Sequence, residues 1–428
     1  MNSELQTKTL AVVRWFAVIA VAVLAFRLTW LSDDALITLR TALNITHNWG
    51  PGYNATEAVQ AYTHPMWFLL WIIIGITTNQ WVYGILVAGI LLTAAAVGVV
   101  VWRTNSIARI VAIVGMLVFS NAFMEYSTSG LENPLSYFAI AVAFTLAISL
   151  VSGTFKSWWI KPLLLGLTFA AIFLNRFDLA FLLAPVILLL VFHFRSNIRV
   201  LLVASVAFLV PLAIWFSWSW ITYNTLLPNT FTAKRNVDIP QLELIVQGLR
   251  YMIVSFEHDP VTLILLILGI GAGFALGDRL VKAWTVGVIL YLGYVTWIGG
   301  DFMAGRFYAV PALVSALILA VVAVRRDSDT AEKLELLPAN RQNRDPVVAP
   351  AGAIVFITFL MMGASLSGST PTAIANPQSQ RWEFEQNTNG GIADERGWYV
   401  EKDLSIKNPI DKLSLAYVNP DIAPLGDS

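Results

Sequence analysis

Two carboxylates stand side by side at Asp33 and Asp34, directly after an apolar run that ends at Leu31. Adjacent like charges at the edge of a low-dielectric layer push one carboxyl pKa up, which suits a general base or a clamp for hydroxyl groups. A serine or an acid after an apolar run also caps the helix that follows, here at Ser32 or Asp34, and spacing alone leaves both readings open. A second cluster is Gly299-Gly300-Asp301-Phe302-Met303-Ala304-Gly305-Arg306. Its glycines let backbone approach a ligand closely, and the planar fork of Arg306 matches phosphate oxygens. A purely structural pair between Asp301 and Arg306 across the turn is the alternative. Arg176 with Asp178, and Glu132 after Ser129-Gly130, put acids at two more ends of apolar segments. Lys234 and Arg235 supply cations in a polar loop, either for a lipid phosphate or as a solvated surface pair. His64 lies near these motifs in Tyr62-Thr63-His64-Pro65, while His47, His193 and His258 lack ligand spacing, and no metal site is read from them.

The elements that must position these residues are set by composition. Of the 428 residues, 57% are hydrophobic and 13% charged, and the mean hydropathy is +0.68. A soluble domain could not hide that much apolar surface, so a bilayer must. Apolar runs of about 17 to 24 residues each suffice to cross roughly 30 Å of hydrocarbon as helix. About eleven spans follow: 10–31, 82–102, 107–124, 133–151, 159–174, 178–194, 198–221, 260–277, 282–298, 306–324 and 348–367. The fold class is therefore an all-α polytopic membrane protein. Pro65 to Ile76 is too short to cross and reads as a juxtamembrane or re-entrant helix in a first external loop, 32–81. Gly269-Ile270-Gly271-Ala272-Gly273 imitates a dinucleotide loop, but it lies inside an apolar span and reads as small-residue helix packing. There is no cysteine, so disulfides and thiolate chemistry are excluded. Lys plus Arg equals Asp plus Glu, 27 each, which leaves no basic field for nucleic acid.

Charge asymmetry orients the bundle. Arg103 and Arg109, Lys156 and Lys161, Arg195 and Arg199, Arg279 and Lys282, and the run from Arg325 to Arg344 all fall in loops on one side, which the positive-inside rule makes cytoplasmic. Every motif named above then falls on the outer face. The chain divides into a transmembrane catalytic domain, 1–367, and an extracytoplasmic tail, 368–428, read as the start of a truncated soluble domain. Within the former lie the long external loop 222–259 and a polar cytoplasmic linker, 325–347. In the external loop, Leu242, Ile245, Leu249, Met252, Ile253 and Phe256 recur at helical spacing, which predicts a helix lying in the membrane interface.

A transporter of lipid-linked glycans would carry ionisable groups at mid-span. The spans here are almost free of them, and acids gather instead in several loops on one face, which favours an enzyme working at the outer interface. Ser32-Asp33-Asp34-Ala35-Leu36-Ile37-Thr38-Leu39-Arg40, Asn48 to Asn54, Glu57 to Trp67, Thr128 to Glu132, Arg176-Phe177-Asp178, Leu227-Pro228-Asn229-Thr230 with Lys234, Gly299 to Arg306 and Ile392 to Arg396 occur in an order that resembles the C-type (GT-C) glycosyltransferases. Within that superfamily the set is most similar to the actinobacterial terminal β-(1→2)-arabinofuranosyltransferases. Position 178 is Asp where mycobacterial members carry Glu, and position 60 is Gln where many relatives carry an acid.

The resemblance implies a polyprenyl-phosphate sugar as donor, decaprenylphosphoryl arabinose in the first instance, with another sugar such as mannose as the alternative, and a cell-wall arabinan as acceptor. It implies that Asp33 takes or orients the acceptor proton with Asp34 as its neighbour, and that Arg306, Lys234 and Arg176 meet the donor phosphate. Glu132, Asp178, Asp301, Thr63 and His64 are then the sugar-binding set. If donor and product are both β, the resemblance further implies retention, which one direct displacement does not give.

Overall fold

The computed structural model describes residues 3–54, 57–153, 157–229, 239–335 and 391–396. Among the described residues the regular structure is all helical, apart from one isolated bridge. In chain order the helices are α1 (Ser3–Arg27), α2 (Asp33–Thr46), α3 (Pro65–Thr78), α4 (Trp81–Trp102), α5 (Ile107–Phe119), α6 (Asn121–Glu125), α7 (Asn133–Val151), α8 (Ile160–Asn175), α9 (Ala180–His193), α10 (Ile198–Tyr223), α11 (Gln241–His258), α12 (Pro260–Leu276), α13 (Arg279–Trp297) and α14 (Ala309–Glu335). Short 3-10 turns at Phe177–Leu179 and Arg306–Tyr308 lead into α9 and α14. Each predicted span from 10 to 324 falls on a helix except 107–124, which breaks at Ser120 into α5 and α6. The predicted span 348–367, the linker beyond Glu335, Lys234 and most of the tail lie outside the described residues.

Five of the described helices are long and apolar enough to cross a membrane: α1, α4, α7, α10 and α13. The pair α11–α12 makes a sixth if taken as one broken span, bent by 110° at Asp259. Asp259 causes the break locally, because its carboxylate accepts from Thr262 N (3.0 Å) at the start of α12 and Pro260 cannot continue the preceding helix. α3, a shorter apolar helix, joins α4 through Asn79 in left-handed backbone.

Two helices form the centre of this multi-pass bundle. α7 buries Ala139, Ile140, Ala141, Ala143, Phe144 and Ala147, and α14 buries residues on all sides from Ala309 to Ala320. Helices apolar all round are the ones that can be enclosed by others. α4 and α8 flank α7, α1 lies on α4, α10 on α8, α12 on α14, and α9 on α13. α1 and α10 turn Phe16, Ile19, Phe26, Leu202, Leu209 and Ile221 outward, an apolar exterior that suits lipid. Gly269 and Gly273 of α12 meet Ser315 of α14 and Thr285 of α13 so closely that a side chain would collide, which is small-residue packing as expected.

Candidate active site

The ends of α1, α7, α8, α9, α13 and α14 meet at one end of the bundle, and Arg195 and Arg279 mark the opposite ends of α9 and α13. α2 starts where α1 stops. Ser32 Oγ accepts from Ala35 N (3.2 Å), and Ser32 N donates to Ser129 O (3.0 Å). Ser32 is therefore the cap, and both aspartates sit on the first helical turn, where the helix dipole favours carboxylates and Asp33 Oδ1 accepts from Asp34 N (2.7 Å). Asp33 is exposed, and the side chain of Asp34 is 37% exposed.

Arg306 is the hub. Its Nη2 donates to Glu132 Oε1 and Oε2 (3.2 and 3.4 Å), and its Nη1 lies 3.5 Å from both Asp34 Oδ2 and Asp301 Oδ2. The alternative of a pair across the 299–306 turn is thus realised together with longer-range pairs. Gly300 (φ 75°) shapes that turn, since a Cβ there would strike Tyr251. Glu132, 2% exposed, also faces Arg176 Nε (3.8 Å) and His64 Nδ1 (3.4 Å). Its turn is held by Trp67 Nε1 donating to Gly130 O (2.7 Å) and by Asn175 Nδ2 donating to Glu132 O (2.8 Å). Arg176 grips Asp178 with Nε (3.1 Å to Oδ1) and Nη2, and Tyr291 OH closes the triangle by donating to Asp178 Oδ2 (2.8 Å). Phe307 lies under the Arg176 guanidinium at 4.9 Å.

Burial holds His64 near a pKa of about 4, the adjacent Glu132 opposing and the two arginines assisting, so the ring is neutral at pH 7. A carboxylate can only accept, so Nδ1 carries the proton toward Glu132 and Nε2 accepts from Thr38 Oγ1 (2.8 Å). Burial alone would raise Glu132, but Arg306, with smaller effects from His64 and Arg176, brings it down to about 2. Burial raises Asp34 above its ordinary value, against Arg306 and with help from Asp33, Asp301 and Glu132. Arg306 is raised despite its burial, because Glu132, Asp301 and Asp34 outweigh desolvation and Arg176, so it stays charged.

The predicted residues Asp34, His64, Glu132, Arg176, Asp178, Asp301 and Arg306 form one connected polar cluster, with Asp33 and Thr63 exposed at its rim. Thr38 and Tyr291 are members that the sequence reading missed. Thr38 is one helical turn from Asp34, a spacing that could have exposed it, whereas Tyr291 sits within α13 with no local signal. Arg176 Nη1 and Arg306 Nε are buried without a hydrogen-bond partner among the described residues. Such unmet donors are costly in a closed structure and are what a bound polar ligand would satisfy. Among the described residues no group of three His, Asp or Glu side chains is placed to hold a metal ion.

No protein-family model matches the chain. A terminal β-(1→2)-arabinofuranosyltransferase of Corynebacterium glutamicum is 26% identical over 420 residues, covering 87% of this chain and 55% of the relative. The chain thus spans about half the length of that curated relative. Among solved structures, the Archaeoglobus fulgidus oligosaccharyltransferase in its apo form aligns with a TM-score of 0.48 at 13% identity, over 83% of this chain and 55% of that one. The archaeal oligosaccharyltransferase AglB from the same organism, in complex with an inhibitory peptide and a dolichol-phosphate, aligns with a TM-score of 0.44 at 13% identity, over 89% and 59%. The chain is thus similar to a glycosyltransferase over 87% of its length.

Proposed function

We propose that this chain is the membrane part of a GT-C glycosyltransferase that takes arabinofuranose from decaprenylphosphoryl arabinose and adds it to the non-reducing ends of cell-wall arabinan, at the extracytoplasmic face of the plasma membrane. The observation that carries the reading is the polar cluster itself, in which four carboxylates surround two buried guanidiniums at one end of an apolar bundle. With Asp33 added, five acids face two arginines, a net charge of 2 − 5 = −3 while His64 is neutral. That field suits a sugar, whose hydroxyls donate to carboxylates and whose anomeric carbon becomes cation-like as the glycosidic bond breaks. The likeness to the arabinofuranosyltransferase supports the choice of sugar.

In this account Asp33, exposed and with no ion pair among the described residues, receives or orients the acceptor hydroxyl's proton. Asp34, anchored by Arg306, fixes the first turn of α2 beneath it. The leaving phosphate meets Arg306, assisted by Lys234 and Arg176. Arg306 has most of its charge already matched, so Lys234 is assigned the larger share of the phosphate's neutralisation. Glu132, closed off from solvent with both oxygens engaged, acts by holding the two arginines and His64 in place. The bilayer retains the isoprenoid and presents its phosphate beside the cluster, which makes donor capture a search in two dimensions.

The test is incubation of purified protein with a panel of polyprenyl-phosphate sugars and a synthetic arabinan. Loss of arabinose from its carrier to the glycan is the expected result. Transfer of mannose alone would replace the donor, and transfer from none would remove the reading.

A further inference from the structure

We propose that Glu395 is a positioning residue of the Asp33–Asp34 site, brought to the two aspartates by the 391–396 segment. The inference rests on the glycosyltransferase reading for its kinetic consequences and on the structure alone for the placement of the group. The segment docks against the glycine-punctuated turn through a parallel bridge, with Ala393 N donating to Phe302 O (2.7 Å) and Ala304 N donating to Ala393 O (2.9 Å). Arg396 pins it from the other side, its Nε donating to Leu28 O (3.2 Å) at the end of α1. Between these two anchors Glu395 is only 4% exposed, and its Oε2 has no hydrogen-bond partner among the described residues.

The charged and titratable groups around it are Asp33 and Asp34 from α2, Asp301 and Arg306 from the turn, and Tyr126 from the end of α6. A carboxylate buried among three others is repelled and poorly solvated. Burial first, then Asp33 and Asp34, with Asp301 adding and Arg306 opposing, push Glu395 up to about 9. At neutral pH it therefore keeps its proton and is an O–H donor inside a cluster of acceptors. That donor restrains the aspartates without adding charge. Ionisation above pH 9 would remove the donor and add a sixth negative group to the cluster around Arg306.

The experiment compares wild type with Glu395→Gln and Glu395→Ala. Gln keeps a neutral donor, so its turnover at pH 7 should stay within about threefold of wild type. Wild-type kcat should fall as pH rises through about 9, and this fall should be absent in Glu395→Gln. Glu395→Ala should lower kcat at least about tenfold with the donor KM little changed. An alkaline fall retained unaltered in Glu395→Gln, or wild-type kcat in Glu395→Ala, would overturn the proposal.

A second readout needs no activity. A carboxyl raised in the folded state contributes stability that is complete below its unfolded pKa and lost as pH rises to its folded one. The unfolding temperature of Glu395→Gln in detergent should thus match wild type near pH 4.5 and exceed it progressively up to about pH 9. Equal temperatures across that window would refute the placement of Glu395. A wild type that transfers no sugar would sink the functional reading and leave this thermal comparison to decide the inference.

Discussion

Replacing Glu132 by Gln removes one charge from the centre of the cluster while keeping nearly the same shape. In the wild type Glu132 offsets Arg306 at 3.2 Å and Arg176 at 3.8 Å, and it is 2% exposed. Its fall from an ordinary 4.5 to about 2, at about 1.4 kcal/mol per pH unit, corresponds to about 3 kcal/mol of stability at neutral pH. That agrees with the roughly 3–5 kcal/mol lost when one partner of a buried ion pair is removed. Asp34, Asp301 and Asp178 remain to neutralise the arginines, which keeps the cost at the lower end. Because the folded pKa is depressed, this stability is present above pH 4.5 and is lost as pH falls toward 2. Thermal unfolding in detergent should show Glu132→Gln melting several degrees below wild type at pH 7, the two curves converging as the buffer is acidified. Identical melting at pH 7, or a gap that does not shrink in acid, would refute the reasoning that the carboxylate is the structural counter-charge of both arginines.

Other perturbations read other parts of the cluster. Arg306→Lys keeps a charge but loses the fork that reaches Glu132, Asp34 and Asp301 together, so donor KM should rise about tenfold or more in steady-state assays; an unchanged KM would move the phosphate contact elsewhere. Gly130 has φ 78°, and a Cβ there would strike Leu31 and Ala35, so Gly130→Ala should lower the unfolding temperature by an amount corresponding to at least about 1 kcal/mol; a neutral result would mean that α2 can shift freely. The chain has no cysteine, so single replacements at Asp33 and at Asn197, between α9 and α10, can be labelled without background. A membrane-impermeant reagent on intact spheroplasts should reach position 33 and not 197, and the reverse would invert the proposed sidedness.

Helix identities were legible because hydrophobic runs of span length admit few other structures. The α11 helix and the refusal of a nucleotide loop at Gly269 to Gly273 followed from periodicity and context in the same way. Hydropathy was blind to local hydrogen bonding, however. The run 107–124 reads as one span, but Ser120 turns to extended backbone (ψ 112°) and caps Asn121–Glu125 by accepting from Phe123 N (3.1 Å). At the site, residue types and their placement at span ends were readable, and so was the shared face. The pairings were not, because Glu132 and Arg306 lie 174 residues apart and meet only through the packing of α7 against α14. Sequence likewise left Ser32 and Asp34 as rival caps, and the Ala35 N to Ser32 Oγ bond shows that Ser32 is the one.

The central claim is that Asp33 performs chemistry on a lipid-linked sugar. It is most directly tested by a single-turnover assay with decaprenylphosphoryl arabinose labelled in the sugar, comparing wild type with Asp33→Asn. Asp33 is exposed, so the variant should fold and bind donor as wild type does. The account predicts that label reaches the arabinan with wild type and at least about 100-fold more slowly with the variant. Equal transfer by the two proteins would contradict it.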